Sequence, residues 1–566
     1  MDIDDDSANM DVDDDVTISM LSNDALQHCL SFVGANQYGF IGITSKKFEE
    51  DYLAMFGNKK ITSFKSAAIS VSRAKFFLAE YGNTHQYPLK LFHSAAIHGK
   101  LDILIWAQEE GGYELNNILS YCTMGDVAQK GYLDVIRYLR KMGVSWDSRT
   151  CYCAAEHGHL KVLKWATANN CPWDEKTCAR AAINGHLEVL KWARARHCPW
   201  DAETCCHAAH NGHLEVLKWA RANGCPWKKE TCSNAALNGH LEVLKWARAN
   251  RCPWDILTCS HAALNGHLEV LKWARANRCP WDEKTCASAA KNGHLEVLKW
   301  ARANRCPWDE KTCASAAENG HLEVLKWARV NGCRWDKNMY SHAAKNGHLE
   351  VLKWARANGC DWDELTCDGA ALNGHLEVLK WERANGCDWG DNICKNAALN
   401  GHLEVLKWAW ANGGCDGPDW DEYTCESAAR NGHLEVLKWA MANGCDWDEF
   451  TSLYAAENGH LEVLQWGWAN GYGGDELTCT YAAANGHLEV LKWWTRANAN
   501  NWVRDIQSAC ESAARNGHLD VLKWAMANGC DWDEFTCNEA AESGHLEVLH
   551  WARANGVLRF FCTEPR

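Results

Sequence analysis

The 566-residue sequence has no stretch approaching the roughly 20 apolar residues needed to span a bilayer, so no membrane anchor is expected. It has no basic stripe. Lys, Arg, Asp and Glu are mixed almost evenly through the body of the chain, and the formal net charge is −15. Nucleic acid is held by clustered cations, so it is not an expected partner. The N-terminus is acidic and lacks the apolar segment of a secretion leader, which predicts an intracellular, cytoplasmic chain, with the nucleus as the other open compartment. There is no Gly-rich phosphate loop followed by Lys-Ser/Thr, and no Ser/His/Asp or Cys/His set stands apart from its surroundings. Neither an enzyme nor a cofactor is expected. Eight of the first fifteen residues are aspartate, which predicts a disordered, solvated tail over residues 1–18.

What the chain has in abundance is repetition. The phrase Gly-His-Leu-Glu-Val-Leu-Lys-Trp recurs in steps of 27, its histidine falling at His159, His186, His213, His240, His267, His294, His321, His348, His375 and His402. Two steps of 31 then lead to His433 and, after His460 and His487, to His518; His545 follows 27 residues later. Degenerate copies begin at Gly99 and Gly131, giving seventeen in all. A short unit copied this often predicts an all-α solenoid of stacked repeats rather than a globule with one core.

One copy, Cys279 to Asn304, serves for the rest. Pro280 keeps Cys279 out of the helical region, and Asp282 is the expected N-cap. A first helix is predicted over 283–292 with Ala289 and Ala290 allowing close backbone approach, and Gly293 supplies the left-handed turn. His294 opens a second helix whose Leu295, Val297, Leu298 and Ala301 share one side. Helices this short are not stable alone, so stacking must hold them. The two tryptophans per copy, such as Trp281 in the loop and Trp300 in the second helix, are expected to pack, the loop ring covering the seam between neighbours.

The thirty cysteines fall mostly at two phases, and without a secretion leader they are expected to be free, buried thiols. A zinc site from Cys225, Cys232 and His240 is disfavoured, because structural sites use Cys-x2–4-Cys and because the chain itself places Tyr340 and Ser452 at one cysteine phase and Tyr472 at the other. The histidine is expected to bridge the tight turn at a helix start. No metal is expected.

Comparison of the copies locates a candidate recognition surface. The second helix hardly changes, whereas the first varies seven, six and three residues before the histidine. The candidate partner-binding residues at these phases are Arg180, His207, His210, Asn234, Asp368, Lys395, Tyr454 and Glu457. The longer steps insert Gly413-Gly414-Cys415-Asp416-Gly417-Pro418 and Asn498-Ala499-Asn500-Asn501, which are expected to bulge from the stack.

The string Ala289-Ala290-Lys291-Asn292-Gly293-His294-Leu295-Glu296-Val297-Leu298 resembles the middle of an ankyrin repeat, and the resemblance covers residues 66–556. It implies a protein-binding scaffold, expected to be monomeric, whose first helices line a concave face that takes protein targets. The unit departs from the family in length, 27 residues against the usual 33, and in its Thr285-Cys286 opening. The projecting hairpin of ordinary ankyrin repeats is therefore expected to shrink to a turn around Pro-Trp-Asp. Residues 19–65 resemble an F-box, through Leu21, Leu26, Leu30 and Phe32 and, at the family's spacing, Phe48. That resemblance implies adaptor binding to a Skp1-like protein by residues 21–48 and a substrate-receptor role in a cullin-type ubiquitin ligase; a helical cap on the first repeat is the alternative. Residues 557–566 are expected to form a C-terminal tail.

Overall fold

The computed structural model describes residues 68–555, apart from 69, 82–85, 120, 337, 362–365, 391, 415–422, 498–501 and 531. The acidic tail, the F-box-like segment with Leu21, Leu26, Leu30, Phe32 and Phe48, most of both insertions and the C-terminal tail lie outside the described residues. Within them every regular element is an α-helix, from Val71–Tyr81 to Leu546–Ala554, and there is no strand. None of these helices is long and apolar enough to cross a membrane. The chain divides into two compact bodies, residues 1–258 and 259–566, each built as a helical repeat solenoid.

In the second body the copy at Cys279 forms helices Glu283–Lys291 and Leu295–Ala303, within one residue of the boundaries expected from its caps and turn. Asp282 has extended backbone and its Oδ1 accepts the Lys284 N–H at 3.2 Å, an N-cap that satisfies one orphan donor of the helix. Gly293, at φ +76°, makes the turn between the helices. Ala289, Ala290, Leu298 and Ala301 are wholly buried. Within this body Glu283–Lys291 packs on the first helix Glu310–Glu318 that follows it and on its own second helix; the alanines make that approach possible. The first body repeats the arrangement, as in Ala202–His210 and Leu214–Ala222, with Asp201 as the cap. The Pro-Trp-Asp segment is a tight loop without strand, the reduced form expected of the hairpin.

Two or three residues past the end of most described second helices stands one in the left-handed region. This is Gly224, Gly332 or Gly359 in some repeats, but Arg251, Arg278 and Arg305 occupy it at φ 64–66° in others. A side chain there costs about 1–2 kcal/mol in backbone strain, partly offset by the greater freedom glycine has when unfolded. Arg278→Gly should therefore stabilise its repeat by a few tenths to about 1 kcal/mol, read as a higher urea midpoint. A lower midpoint would mean that the arginine side chain contributes more than its backbone costs.

The cysteines are buried as expected, but they are not isolated. The first-helix cysteine meets the one 20 residues later, beyond the second helix of the same repeat. Cys367 and Cys387 lie 3.0 Å apart, and Cys425–Cys445 and Cys510–Cys530 are joined as disulfides. The expectation of free thiols is thus overturned at these two pairs. The physical reason is that the helix–turn–helix doubles back and brings the opening cysteine of the next copy against the first helix. In Cys178 the hydrogen bond to Cys198, together with burial, pushes the thiol well above its ordinary range, so it stays protonated at neutral pH.

Candidate partner-binding face

The recurring Gly-His is consumed by stacking, joined in some repeats by the asparagine before it; in others, such as Asn319 and Asn346, that asparagine bonds back to its own first helix. In the second body, the Leu399 carbonyl at the end of one first helix accepts two hydrogen bonds from the next repeat. One comes from Asn431 Nδ2 at 2.8 Å, the other from His433 Nε2 at 3.1 Å. The last carbonyls of a helix have no partner of their own, and this clamp supplies donors for one of them. Since a carbonyl can only accept, the ring carries its proton on Nε2. The ring's other edge rests on the preceding glycine: a Cβ on Gly401 would sit 2.6 Å from His433 Nδ1. The first body has the same contacts, with His213 Nε2 bonded to the Ile183 carbonyl at 3.1 Å above Gly185. The histidine therefore bridges successive repeats, not its own turn as expected.

Burial holds His186, His294, His348, His402 and His433 below the ordinary histidine value of 6.5, more than the carbonyl bond raises them; neighbouring ladder histidines push the same way. The fold thus prefers the neutral ring. Its stabilising contribution is complete above pH 6.5, where the unfolded chain is also neutral, and is lost as pH falls from 6.5 through the depressed folded values. The urea midpoint should drop between pH 7.5 and pH 5.5 with helical signal as readout. A constant midpoint over that range would contradict this arrangement.

The tryptophans are likewise structural. Trp281 packs edge-on to Trp300 with ring centroids 6.0 Å apart, and Arg275 of the preceding second helix lies over the Trp281 ring at 4.0 Å. In the first body Arg194, Trp200 and Trp219 do the same. This is the seam-covering role expected of the loop ring. Cys225 hydrogen bonds with Cys205 rather than with Cys232, so the two cysteines of the Cys-x6-Cys string belong to different pairs. Among the described residues no group of three or more His, Cys, Asp or Glu is placed to hold a metal.

With those residues assigned to stacking, the varied face of the first helices is what remains for a partner. The residue seven before the histidine is inside in several repeats: Ala179, Cys206, Ser233, Leu453 and Asp368 are all less than a tenth exposed. Asp368, one of the candidate contacts, is only 7% exposed and lies near Asn392 Nδ2 at 3.4 Å, so it belongs to the packing between first helices. Lys395, at the same phase, is half-exposed and stands 4.7 Å over the Tyr423 ring.

The phases six and three before the histidine form a ladder that runs from repeat to repeat. Arg180 pairs with Glu156 of the preceding repeat at 3.3 Å and approaches the Tyr152 ring at 6.0 Å. His207 Nδ1 faces the Ala179 carbonyl at 3.3 Å, and His210 Nδ1 faces Asn238 Nδ2 at 3.0 Å. Asn234 is half-buried beside them in sequence. In the second body Arg430 lies 3.7 Å over the Tyr454 ring, and Glu457 is half-exposed while its carbonyl accepts from His487. Arg515 makes a two-pronged pair with Glu539, both contacts 2.6 Å. The structure thus brings Arg180, His207, His210 and Asn234 onto adjacent first helices of the first body, and Tyr454 and Glu457 onto one first helix of the second.

A family model described as ankyrin repeats (many copies) matches residues 340–381, 425–466 and 479–526. No curated protein matches the chain. Among solved structures, the pentatricopeptide repeat protein PPR10 from maize is 13% identical over 95% of this chain and 98% of its own, at a TM-score of 0.27. PPR10 in complex with an 18-nucleotide psaJ RNA element gives 13% identity, coverage of 92% and 94%, and a TM-score of 0.31. The human ASB11 ankyrin repeat domain gives 17% identity over 28% of this chain and 84% of its own, with a TM-score of 0.25. Superpositions this loose carry no argument about function. Ankyrin-type repeats are therefore found in three segments of the C-terminal part of the chain, set within a helical repeat solenoid.

Proposed function

We propose that this chain is a non-catalytic protein-interaction scaffold that captures protein targets on the first-helix face of its repeats. The observation that carries the reading is the division of labour within each repeat. The constant residues, Gly, His, Trp and most Cys, are spent on stacking, while the first helix varies at half-exposed phases. Arg180, His207, His210, Asn234, Lys395, Tyr454 and Glu457 are the contacts this reading names. Crosslinking of the full chain to co-purified proteins should place crosslinks on first helices. The combined variant Arg180→Ala, His207→Ala and His210→Ala should lose partners captured by the first body, with the helical signal unchanged. Capture of RNA in place of protein, or crosslinks confined to second helices, would overturn it.

A finer reading makes the chain a substrate receptor of a Skp1-cullin ubiquitin ligase. It is supported only by the pattern Leu21, Leu26, Leu30, Phe32 and Phe48 in the sequence. The full chain should then bind a Skp1-type adaptor and lose it on Leu26→Ala with Leu30→Ala; absence of binding by the unaltered chain would end this reading.

A further inference from the structure

Ten residues before the repeat histidine, at the start of the first helix, the second body changes character. Lys284, Lys311, Asn338, Leu365 and Asn392 hold this phase in its earlier repeats; Tyr423, Phe450, Leu477 and Phe535 hold it in later ones. These four are 46%, 44%, 50% and 69% exposed. An exposed aromatic or leucine side chain is common singly; its recurrence at one phase of stacked helices is not. Consecutive first helices pack directly on one another here, so equal phases stand side by side at the helix spacing of about 8–10 Å. Cross-repeat contacts link these helices with an offset of three residues in phase: Lys395 reaches the Tyr423 ring, and Arg430 the Tyr454 ring. Tyr454 also stacks on Phe450 at 6.2 Å, and Tyr481, 37% exposed, continues the same line one repeat on. The row is interrupted at Ser508, which hydrogen bonds to Glu476 at 3.0 Å.

The row is set among carboxylates. Glu449, Glu476, Glu534 and Glu542 are exposed on the same first helices, and among the described side chains there the cations Arg430 and Arg515 are already engaged, the first over Tyr454 and the second with Glu539. Glu511 is raised from its ordinary value first by burial and then by the charges of Asp533 and Glu539. We propose that this face, over the repeats from Tyr423 to Glu542, is a docking surface for a basic amphipathic segment of another protein, its apolar side chains seated on Phe450, Tyr454, Leu477 and Phe535 and its Lys or Arg side chains paired with the flanking glutamates. Charge selects this occupant. A second copy of the chain brings a formal charge of −15 and the acidic N-terminal stretch brings eight aspartates, and both are repelled. The inference rests on the scaffold reading above and assigns partner chemistry to one part of it.

The test is fluorescence anisotropy with the full chain at near-physiological salt and three labelled peptides of about 20 residues designed as amphipathic helices. One combines Lys with Leu and Trp, one replaces every Lys by Glu, and one replaces every Leu and Trp by Ser. The Lys/Leu/Trp peptide should bind at least tenfold more tightly than either other. Phe450→Ser with Phe535→Ser should weaken it at least tenfold, and Glu449→Gln with Glu476→Gln and Glu534→Gln should weaken it and flatten its salt dependence. These side chains are exposed, and an unchanged helical signal verifies folding; two independent variant sets keep the test sound should one misfold. Equal binding of the Glu peptide, or Lys/Leu/Trp binding untouched by both variant sets, overturns the proposal. If that binding instead falls with the Arg180, His207 and His210 variant, the scaffold reading survives and this docking surface does not.

Discussion

Gly320→Ala is expected to destabilise the second body by about 2–5 kcal/mol, far more than the same change at Gly332. Both glycines are left-handed, at φ +75° and +84°. A methyl group on Gly332 meets nothing within 4 Å, so only the backbone strain of about 1–2 kcal/mol applies there. On Gly320 the same atom lies 2.6 Å from Nδ1 and 2.8 Å from Cε1 of His348. The ring must move, which breaks its 3.0 Å bond to the Glu318 carbonyl and leaves that acceptor without this donor. The difference between the two variants isolates the contact between repeats. Adding His348→Ala to Gly320→Ala should recover part of the loss, because the clash then has no second party. Urea unfolding followed by circular dichroism, with amide exchange over Glu310–Glu318 as a local probe, measures both. Equal losses at Gly320 and Gly332 would show that the histidine yields freely and that the clamp contributes little.

The second large effect runs the other way. Glu382→Ala should stabilise the second body by about 1–4 kcal/mol. Its phase is the inward residue of the second helix, held by Ala355 in the repeat before and Ala409 in the repeat after, both wholly buried. Glu382 is also 0% exposed, in surroundings that include Tyr340, Cys367 and Cys387. A carboxylate there surrenders its hydration to a site built for a methyl group. Its charge also adds to burial in raising the Tyr340 hydroxyl above its ordinary range. Removing it should bring the urea midpoint up and lower the Tyr340 titration. A fall in stability would show that the carboxylate is held in place by its neighbours and that this repeat has adapted around it.

The helix pair, its caps and its turn were legible in the sequence because each depends on local chemistry. Asp282 accepts from the helix start, Gly293 takes the left-handed turn, and Ala289 and Ala290 permit close approach, all readable within one copy. What was not legible depends on the neighbouring copy. Nothing within one repeat says that His433 reaches back to Leu399, or that Cys205 pairs with Cys225 rather than Cys232 with Cys225. The candidate face was found in part. Arg180, His207 and Tyr454 sit on the ladder of first helices, but Asp368 varies in sequence while lying between helices, since variation does not report depth. The row at Tyr423, Phe450, Leu477 and Phe535 was passed over although its signal, large apolar residues recurring at one phase of the later repeats, was present in the sequence.

The clamp has a direction. A repeat's carbonyl is met by the histidine made after it, and in some repeats by the asparagine as well, as Leu399 is by Asn431 and His433. During synthesis the newest repeat is thus always one step from completion, and structure can grow only behind the ribosome, trailing it by a repeat. The same polarity explains why whole copies can be added or lost without penalty at the joint: every copy brings both the acceptor for its successor and the donors for its predecessor.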